Sequence, residues 1–216
     1  MKIRSINAMR GPNYWSVRRH KLIVLVLDLE EMEQFPTNKI EGFRERIEAM
    51  FPTMIEHRCS EGTRGGFFSR IERGTWMGHV IEHIALEIQT LAGMETGFGR
   101  TRETKTPGIY NVVFSYTEEN VGMFAAESSV AIAEALIAGT DYDVEADIQK
   151  MREIREQVRL GPSTGSIVDE AVARDIPWIR LGTNSLVQLG YGINQMRFQA
   201  TITCKTSSIA VDIACN

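Results

Sequence analysis

The sequence predicts an α+β fold, in which an antiparallel sheet carries two long antiparallel helices on one face. Three observations support this prediction. A long helix without internal proline covers 76–91, two strand-like segments at 97–104 and 109–116 flank a Thr-Pro-Gly turn, and a second long helix runs from Thr117 to Ile137. If both helices cover the same face of the sheet, the order helix, strand, strand, helix makes them antiparallel.

The segments before the first long helix predict smaller elements. Residues 2–9 and 21–29 are short aliphatic runs typical of strands, with a Gly-Pro-Asn turn and an Arg-rich segment between them. Apolar residues at helical spacing predict an amphipathic helix over 37–50, which Pro52 ends. We expect a short strand over 54–58 and a short helix over 67–72.

The two long helices carry recognisable ends. Thr75 is placed to act as N-cap of the first, and Gly93 is a natural residue just beyond its C-terminus. The second opens with acidic residues, which suit the positive end of a helix dipole, and closes at Gly139.

The pattern of residues along the sequence changes after the second long helix. The charge pattern and apolar spacing over 141–160 predict a surface helix that also connects the segments on either side. A Gly-Pro pair follows at 161–162. Beyond the pair we expect a helix over 163–175, a strand over 176–181, a glycine-punctuated stretch over 185–203 that ends in a strand, and a helix over 206–216. The sequence therefore predicts two domains, residues 1–160 and an α/β segment over 161–216.

Composition narrows the class of protein. Twenty-four Lys and Arg against 28 Asp and Glu give a formal charge of −4, which argues against a dedicated nucleic-acid binder. Cys59, Cys204 and Cys215 form no CxxC pair, so we expect a reducing, cytoplasmic location without a disulfide framework or a cysteine zinc site. The apolar run 22–29 is shorter than the roughly 20 residues that cross a bilayer, so no membrane contact is expected.

The pattern His79-Val80-Ile81-Glu82-His83 indicates metal chemistry. Residues four apart share one face of a helix, so both imidazoles can reach one ion, and Glu82 stands beside them. H-x-x-E-H is the signature of the inverzincin metalloproteases. Neutral imidazole suits Zn²⁺, which lowers the pKa of a bound water to about 7, and Glu82 is then the general base.

Such a site needs a third protein ligand. Glu87 lies about a full helical turn beyond His83 and is a poor candidate. In an antiparallel helix pair, Glu127 and Glu134 come near the motif while Glu119 does not. We choose Glu127, with His57 as its competitor.

Simpler interpretations remain open for these residues. Two histidines and a glutamate on a helix can merely pair with polar neighbours, although the apolar residues around them leave a buried polar group that needs partners. Arg64, Arg100 and Arg102 stand beside glycines, where they can bind carboxylates or phosphates, or belong to solvated loops and hairpin edges.

Several longer segments resemble the N-terminal part of the cyanophycin synthetases. They are RGPNYWS (10–16), EHRCSEG and GGFF within 56–68, GTWMGHVIEHIALEIQTLAGM (74–94), GFGRTRETKTPGIYNVVF (97–114), LGPSTGSIV (160–168) and SLVQLGYGINQMRFQATIT (185–203). The resemblance covers essentially the whole chain.

The resemblance implies a function. That family joins aspartate and arginine into multi-L-arginyl-poly-L-aspartate with ATP and Mg²⁺, using an ATP-grasp module and a Mur-ligase-like module. By resemblance, residues 1–160 are the N-terminal domain and 161–216 open the ATP-grasp module, so the chain looks like a part of a longer protein without ligase activity of its own. A homo-oligomer is expected of the longer protein.

In the family, the N-terminal domain binds the polymer, and members with a metallopeptidase-like motif also cut it into primers. His79, Glu82 and His83 match that motif, whereas Glu127 does not transfer as cleanly. The resemblance thus implies a Zn²⁺-dependent hydrolase, with Arg100 and Arg102 binding the polymer. The alternatives are a non-catalytic domain that anchors the polymer and a domain that holds an oligomer together.

Overall fold

The structure is a computed structural model that describes residues 1–19, 21–182, 184–207 and 210. The chain divides into two compact units, Met1–Arg155 and Glu156–Asn216. The first unit begins with strands β1 (Lys2–Arg10) and β2 (Lys21–Asp28), helices α1 (Phe43–Met50), α2 (Gly66–Arg73) and α3 (Met77–Leu91), and strands β3 (Gly99–Glu103) and β4 (Ile109–Ser115). Helices α4 (Glu119–Ala138) and α5 (Val144–Val158) follow.

The remaining elements are helix α6 (Pro162–Ala173) and strands β5 (Trp178–Arg180), β6 (Leu186–Leu189), β7 (Met196–Gln199) and β8 (Ile202–Thr203). Short 3₁₀ helices lie at Glu30–Gln34, Thr37–Lys39, Pro52–Glu56, Cys59–Glu61 and Gly192–Asn194.

The sheet of the first unit has the order β1-β2-β4-β3, with every neighbouring pair antiparallel. Ile23 pairs with Phe114 and Leu25 with Val112, so these four fully buried residues share one face. That face is the floor of the main hydrophobic core, and the predicted α+β class with an antiparallel sheet is confirmed.

Two glycines let the long helices lie directly on that face. A Cβ at Gly122 of α4 would come within 2.9 Å of Ile23 Cγ1, and one at Gly78 of α3 within 3.4 Å of Tyr110 Cβ. Tyr110 lies four residues before Phe114 on β4, so it points to the same side of the sheet as Ile23. Both helices therefore cover one face, as predicted.

The two helices also run in opposite directions. Helix α3 starts beside Tyr110, and near its end Gln89 donates a hydrogen bond to the carbonyl of Ser115, so it follows the direction of β4. Helix α4 starts at the Ser115 end of the sheet, and near its own end Glu134 accepts a hydrogen bond from the amino group of Met1. The predicted antiparallel helix pair is confirmed.

Among the described residues, α4 is the helix long and apolar enough to cross a membrane on length and composition alone. In this structure 61% of that stretch is buried. Val121, Ala125 and Ile132 on α4 belong to the main core, which is the packing of a core helix.

Three local predictions are wrong. The strand expected over 54–58 is the 3₁₀ helix Pro52–Glu56, which begins with proline at its first position, where the missing N–H costs nothing. The helix expected over 37–50 begins only at Phe43, because Gly42 adopts a left-handed conformation (φ 68°). The residue before α3 that takes extended backbone is Trp76 and not Thr75, and it makes no side-chain cap.

The second unit contains a separate antiparallel sheet of order β5-β6-β7-β8. Val168 of α6 packs with Val187 and Phe198 of the sheet in a small core. The helix expected over 206–216 falls largely outside the described residues.

Candidate metal and catalytic site

Helix α3 faces a cavity of about 690 Å³ with the three residues of its motif, His79, Glu82 and His83. The loop after the 3₁₀ helix Pro52–Glu56 forms the opposite wall, and the segment 96–102, which enters β3, forms the third side. Glu82 and His83 are buried, at 6% and 7% exposure. The motif therefore opens onto a cavity, although most of its surface is covered by protein.

Cys59 joins the two histidines from the opposite wall. One ligand atom from each of Cys59, His79 and His83 lies within 4.8 Å of the others, and Cys59 Sγ is 3.1 Å from His79 Nε2. Thiolate sulfur and imidazole nitrogen are the donors that zinc prefers in proteins. This trio is a candidate metal site.

The loop that carries Cys59 is held by close backbone contacts. A Cβ at Gly66, the first residue of α2, would lie 3.0 Å from the carbonyl carbon of Arg58, so only glycine allows α2 to approach the loop this closely. The amide of Phe67 donates to the carbonyl of His57 at 3.0 Å. Cys59 itself has φ 52°, a left-handed conformation that costs a non-glycine residue about 1–2 kcal/mol. The backbone strain falls on the residue that presents the sulfur.

A chain of hydrogen bonds orients His83. Glu87 Oε2 lies 2.7 Å from His57 Nε2, and His57 Nδ1 lies 2.8 Å from His83 Nδ1. A carboxylate only accepts, so His57 donates from Nε2; in the tautomer with its proton on Nε2, His57 accepts at Nδ1 from His83 Nδ1. The lone pair of His83 is thereby left on Nε2, the nitrogen a metal needs.

Glu87 suits the end of this series of hydrogen bonds, because its side chain is 3% exposed and ionised. Burial raises the pKa of its carboxyl group, but hydrogen bonds from His57 and Thr53 outweigh that effect and lower the pKa below its usual value. The Glu87 side chain thus does not line the cavity itself, and it acts on His83 through His57.

His79 is oriented by a separate partner. Thr75 Oγ1 lies 3.2 Å from His79 Nδ1, so a proton on Nδ1 leaves the lone pair on Nε2, which faces Cys59. Burial, with a smaller contribution from Arg70, lowers the pKa of His79 to about 4. Burial and the neighbouring histidines also lower the pKa of His83 well below its usual value, so both rings are neutral at pH 7.

Phe67 gives the histidines an apolar support. Its ring centroid is 4.5 Å from that of His83, 6.0 Å from that of His79 and 6.2 Å from that of His57. Phe67 is fully buried, so the three rings are packed against it and cannot turn freely.

Glu82 is fixed from the side of β3. Thr101 Oγ1 donates to Glu82 Oε2 at 2.6 Å, and a Cβ at Gly99 would lie 2.7 Å from Glu82 Cδ. Burial raises the pKa of Glu82 to about 7, against the opposing effects of the Thr101 hydrogen bond and of Arg100 and Arg102. A carboxyl group in this range can both accept and release a proton near neutral pH.

Arginines surround the cavity. Arg100 and Arg102 of β3 line it, as do Arg58 and Arg70. Arg70 Nε is buried without a hydrogen-bond partner among the described residues. Arg64, in contrast, is exposed and forms an ion pair with Glu56 at 2.7 Å, so it contributes to the surface of the loop.

The structure does not bring Glu127 to the histidines. Asn120, Glu127 and Glu134 are spaced by seven residues and form one exposed stripe on α4. The position of Glu127 along the helix is suitable, but its side of the helix faces away from the core. Cys59 takes its place in the candidate site.

Sequence reasoning missed Cys59 and Glu87. Cys59 is a lone cysteine twenty residues before His79, and only the fold brings the two together. A useful signal was present, since Cys59 follows His57 by two residues and a His pair on a helix needs one more donor. Glu87 follows His83 by four residues, which places both on one helix face.

Comparison with known proteins identifies the family of this chain. The family model described as cyanophycin synthase-like N-terminal domain matches residues 24–138. The chain is 49% identical to the cyanophycin synthetase of Synechocystis sp. (strain ATCC 27184 / PCC 6803 / Kazusa), over 100% of this chain and 25% of that protein. It is also 49% identical to those of Geminocystis herdmanii (strain PCC 6308) and Trichormus variabilis (strain ATCC 29413 / PCC 7937), over 100% of this chain and 25% and 24% of those proteins.

The chain spans about a quarter of the length of the curated relatives that it matches. The family model covers the sheet strands β2 to β4 and the helices α1 to α4, including the motif of α3 and the Cys59 loop. The chain belongs to the family of cyanophycin synthase-like N-terminal domains.

Proposed function

We propose that this domain binds cyanophycin, multi-L-arginyl-poly-L-aspartate, and hydrolyses it at a metal-dependent site on α3. The observation that carries the proposal is the convergence of Cys59, His79 and His83 within 4.8 Å in one cavity, with Glu82 on the same wall. A cavity that joins three metal donors to a buried carboxyl group suits hydrolysis better than simple anchoring.

The donor set fits Zn²⁺. One sulfur and two imidazole nitrogens supply three ligands, and each imidazole has a hydrogen-bonding partner at Nδ1, which leaves Nε2 for the metal. Bound there, zinc would supply a Lewis acid that polarises a peptide carbonyl and makes water more acidic. Three protein ligands leave a coordination position open, which is the arrangement of catalytic zinc sites.

The chain's own groups supply the proton transfer. Thr101 holds Glu82 Oε2, so Oε1 is the oxygen that takes a proton from the attacking water. The water oxygen bonds to the carbonyl carbon, the C–N bond breaks, and the same carboxyl group returns the proton to the leaving amine nitrogen.

The polymer alternates carboxylate and guanidinium groups, and the cavity is rich in arginine. Arg100 and Arg102 stand on β3 beside Glu82, where they can bind the free carboxylates in bidentate pairs. This supports their role in polymer binding.

The domain would act within a longer protein. We infer that residues 1–160 are the polymer-binding and hydrolytic domain of a cyanophycin synthetase and that 161–216 open its ATP-grasp module. The ligase would use ATP and Mg²⁺ in modules beyond this chain. Hydrolysis by the N-terminal domain would supply short chains that prime synthesis.

The test is cleavage of purified cyanophycin without ATP, before and after chelation, by the unmodified chain and by Glu82→Gln. We expect chelator-sensitive release of short polymer that falls by at least about 100-fold in the variant, with an unchanged unfolding transition. Binding without cleavage by the unmodified chain would show an anchoring domain, and cleavage retained in Glu82→Gln would refute the assigned role of that carboxyl group.

A further inference from the structure

A second cavity of about 450 Å³ adjoins the first. Thr96 and Gly97 line both cavities, so the two cavities meet at this segment, which we call the passage. Arg18, Arg19 and Lys21 contribute basic side chains to the second cavity. This Arg-rich segment has no part in the proposed hydrolytic mechanism.

The loop before β2 is built to hold these arginines in place. Asn13 Oδ1 accepts hydrogen bonds from the amides of Trp15 and Ser16, and Asn13 Nδ2 donates to the carbonyl of Arg19 at 2.8 Å. Ser16 Oγ in turn accepts hydrogen bonds from the amides of Arg18 and Arg19. Both arginines therefore sit on an ordered loop and not on a loose tail.

The same loop is tied to the wall of the first cavity. Trp15 is buried at 8% exposure against Leu22 and Val113 on the side of the sheet opposite the long helices. The carbonyl of Trp15 accepts a hydrogen bond from Arg100 Nη1 at 3.1 Å. Arg100 thus links the two cavities, because the residue lines the first cavity and its guanidinium supports the loop of the second.

The charge of the two cavities is opposite to that of the chain. Neither Arg18 nor Arg19 forms an ion pair with any residue that the structure describes, and Glu95 is the acidic residue of the second cavity. The first cavity adds Arg58, Arg70, Arg100 and Arg102. Seven basic and three acidic residues, Glu56 and Glu82 of the first cavity and Glu95 of the second, line the two cavities together. This excess of positive charge on a chain of net charge −4 is suited to a ligand with repeated carboxylates.

We propose that the second cavity is a remote subsite of the polymer groove, in which Arg18 and Arg19 bind free carboxylates of polymer units that lie beyond the passage at Thr96 and Gly97. The proposal rests on the proposed function, since it assigns the occupant of the groove. Guanidinium groups bind carboxylates through two parallel hydrogen bonds, which favours this chemistry over a single lysine contact. Chains long enough to fill both cavities then bind more tightly than short ones.

The first test is binding to cyanophycin in the Glu82→Gln background, so that turnover does not disturb the measurement. Arg18→Gln with Arg19→Gln is compared with Lys39→Gln with Lys105→Gln, which removes two positive charges from exposed positions that line neither cavity. We expect binding of long polymer about five- to tenfold weaker in the arginine variant and unchanged in the lysine variant. For an oligomer too short to leave the first cavity, the expected change is below about twofold.

A second variant blocks the passage without removing charge. A Cβ at Gly97 would meet no atom within 4 Å, so Gly97→Leu places its side chain in open space between the cavities. We expect the same selective loss of long polymer, with an unchanged unfolding transition. Without the Glu82→Gln change, the arginine variant should still hydrolyse short oligomers, because Arg18 and Arg19 do not line the first cavity.

The outcomes separate this proposal from the proposed function. Unchanged affinity and unchanged KM for long polymer in the arginine variant would overturn the subsite, even if the unmodified chain cleaves polymer. A chain that fails to cleave polymer but loses binding selectively in the arginine variant would overturn the hydrolase and support the subsite.

Discussion

Replacement of Gly99 by alanine tests the geometry of the Glu82 carboxyl group, the proposed general base. Gly99 is the first residue of β3, and its added Cβ would lie 2.7 Å from both Cγ and Cδ of Glu82, and closer still to Oε1. Ordinary van der Waals contact begins near 3.4 Å. The Glu82 side chain must therefore move by about 0.7 Å or more, away from β3 and from its hydrogen bond with Thr101.

The change in the free energy of unfolding has three contributions, of which two are losses and one is a gain. Overpacking a buried site costs about 1–3 kcal/mol. Losing the hydrogen bond from Thr101 to Glu82 costs about 1 kcal/mol. The loss of flexibility in the unfolded chain returns about 0.4–1 kcal/mol, so the free energy of unfolding should fall by about 1–3 kcal/mol. Displacing a catalytic group by nearly 1 Å should lower kcat for polymer cleavage by about 100-fold.

The measurements are urea unfolding and cleavage of cyanophycin. Gly97→Ala serves as the stability control, because its Cβ meets nothing within 4 Å and it lies only two residues before Gly99. Its free energy of unfolding should stay within about 0.5 kcal/mol of the unmodified value. Full stability and full activity in Gly99→Ala would refute the close approach of β3 to Glu82.

The other predictions concern the metal, acid stability and helix packing. Cys59→Ser should weaken zinc binding by at least about 100-fold, measured by competition with a chromogenic chelator, while Cys204→Ser at an exposed position should leave it unchanged. Because the folded-state pKa of Glu87 lies below its unfolded value of 4.5, its stabilising contribution is complete above pH 4.5 and lost as the pH falls through the folded pKa. Urea unfolding of chelator-treated protein between pH 6 and 3 should therefore show a shallower acid loss in Glu87→Gln, and equal slopes would contradict the hydrogen-bonded carboxylate. Gly122→Ala should lower the free energy of unfolding by about 1–3 kcal/mol, since its Cβ would lie 2.8 Å from Tyr116 Cβ, and a gain in stability would show that α4 is packed less closely.

The features predicted well from the sequence are those that local pattern decides. Helix α3 is a proline-free apolar run that ends before Gly93, which has φ 84°, and the hairpin β3–β4 is set by strand-forming residues on either side of a turn. The motif needs only the i, i+4 geometry of that helix to bring His79 and His83 together. Neither prediction depends on contacts that are distant in the chain.

The features predicted poorly depend on distant contacts. The segment after Pro52 is short, and two apolar residues within it are too little pattern to distinguish a strand from a 3₁₀ helix. Cys59 reaches His79 only because Gly66 allows α2 to press against the loop, and no local rule pairs those residues. Glu127 is different, because the seven-residue spacing from Asn120 to Glu134 was readable as an exposed stripe and would have excluded it.

The series of hydrogen bonds from Glu87 through His57 to His83 has a consequence for the proposed metal site when the ion is lost. Small zinc proteins unfold when the metal leaves, because the ion replaces a core that they lack. Here the ligand residues rest on Phe67 and a continuous apolar core, and their protons are placed by protein groups. Loss of the metal should therefore leave a folded, inactive domain that regains activity when zinc is added. The supply of zinc would then switch polymer cleavage on and off reversibly, without the domain having to refold.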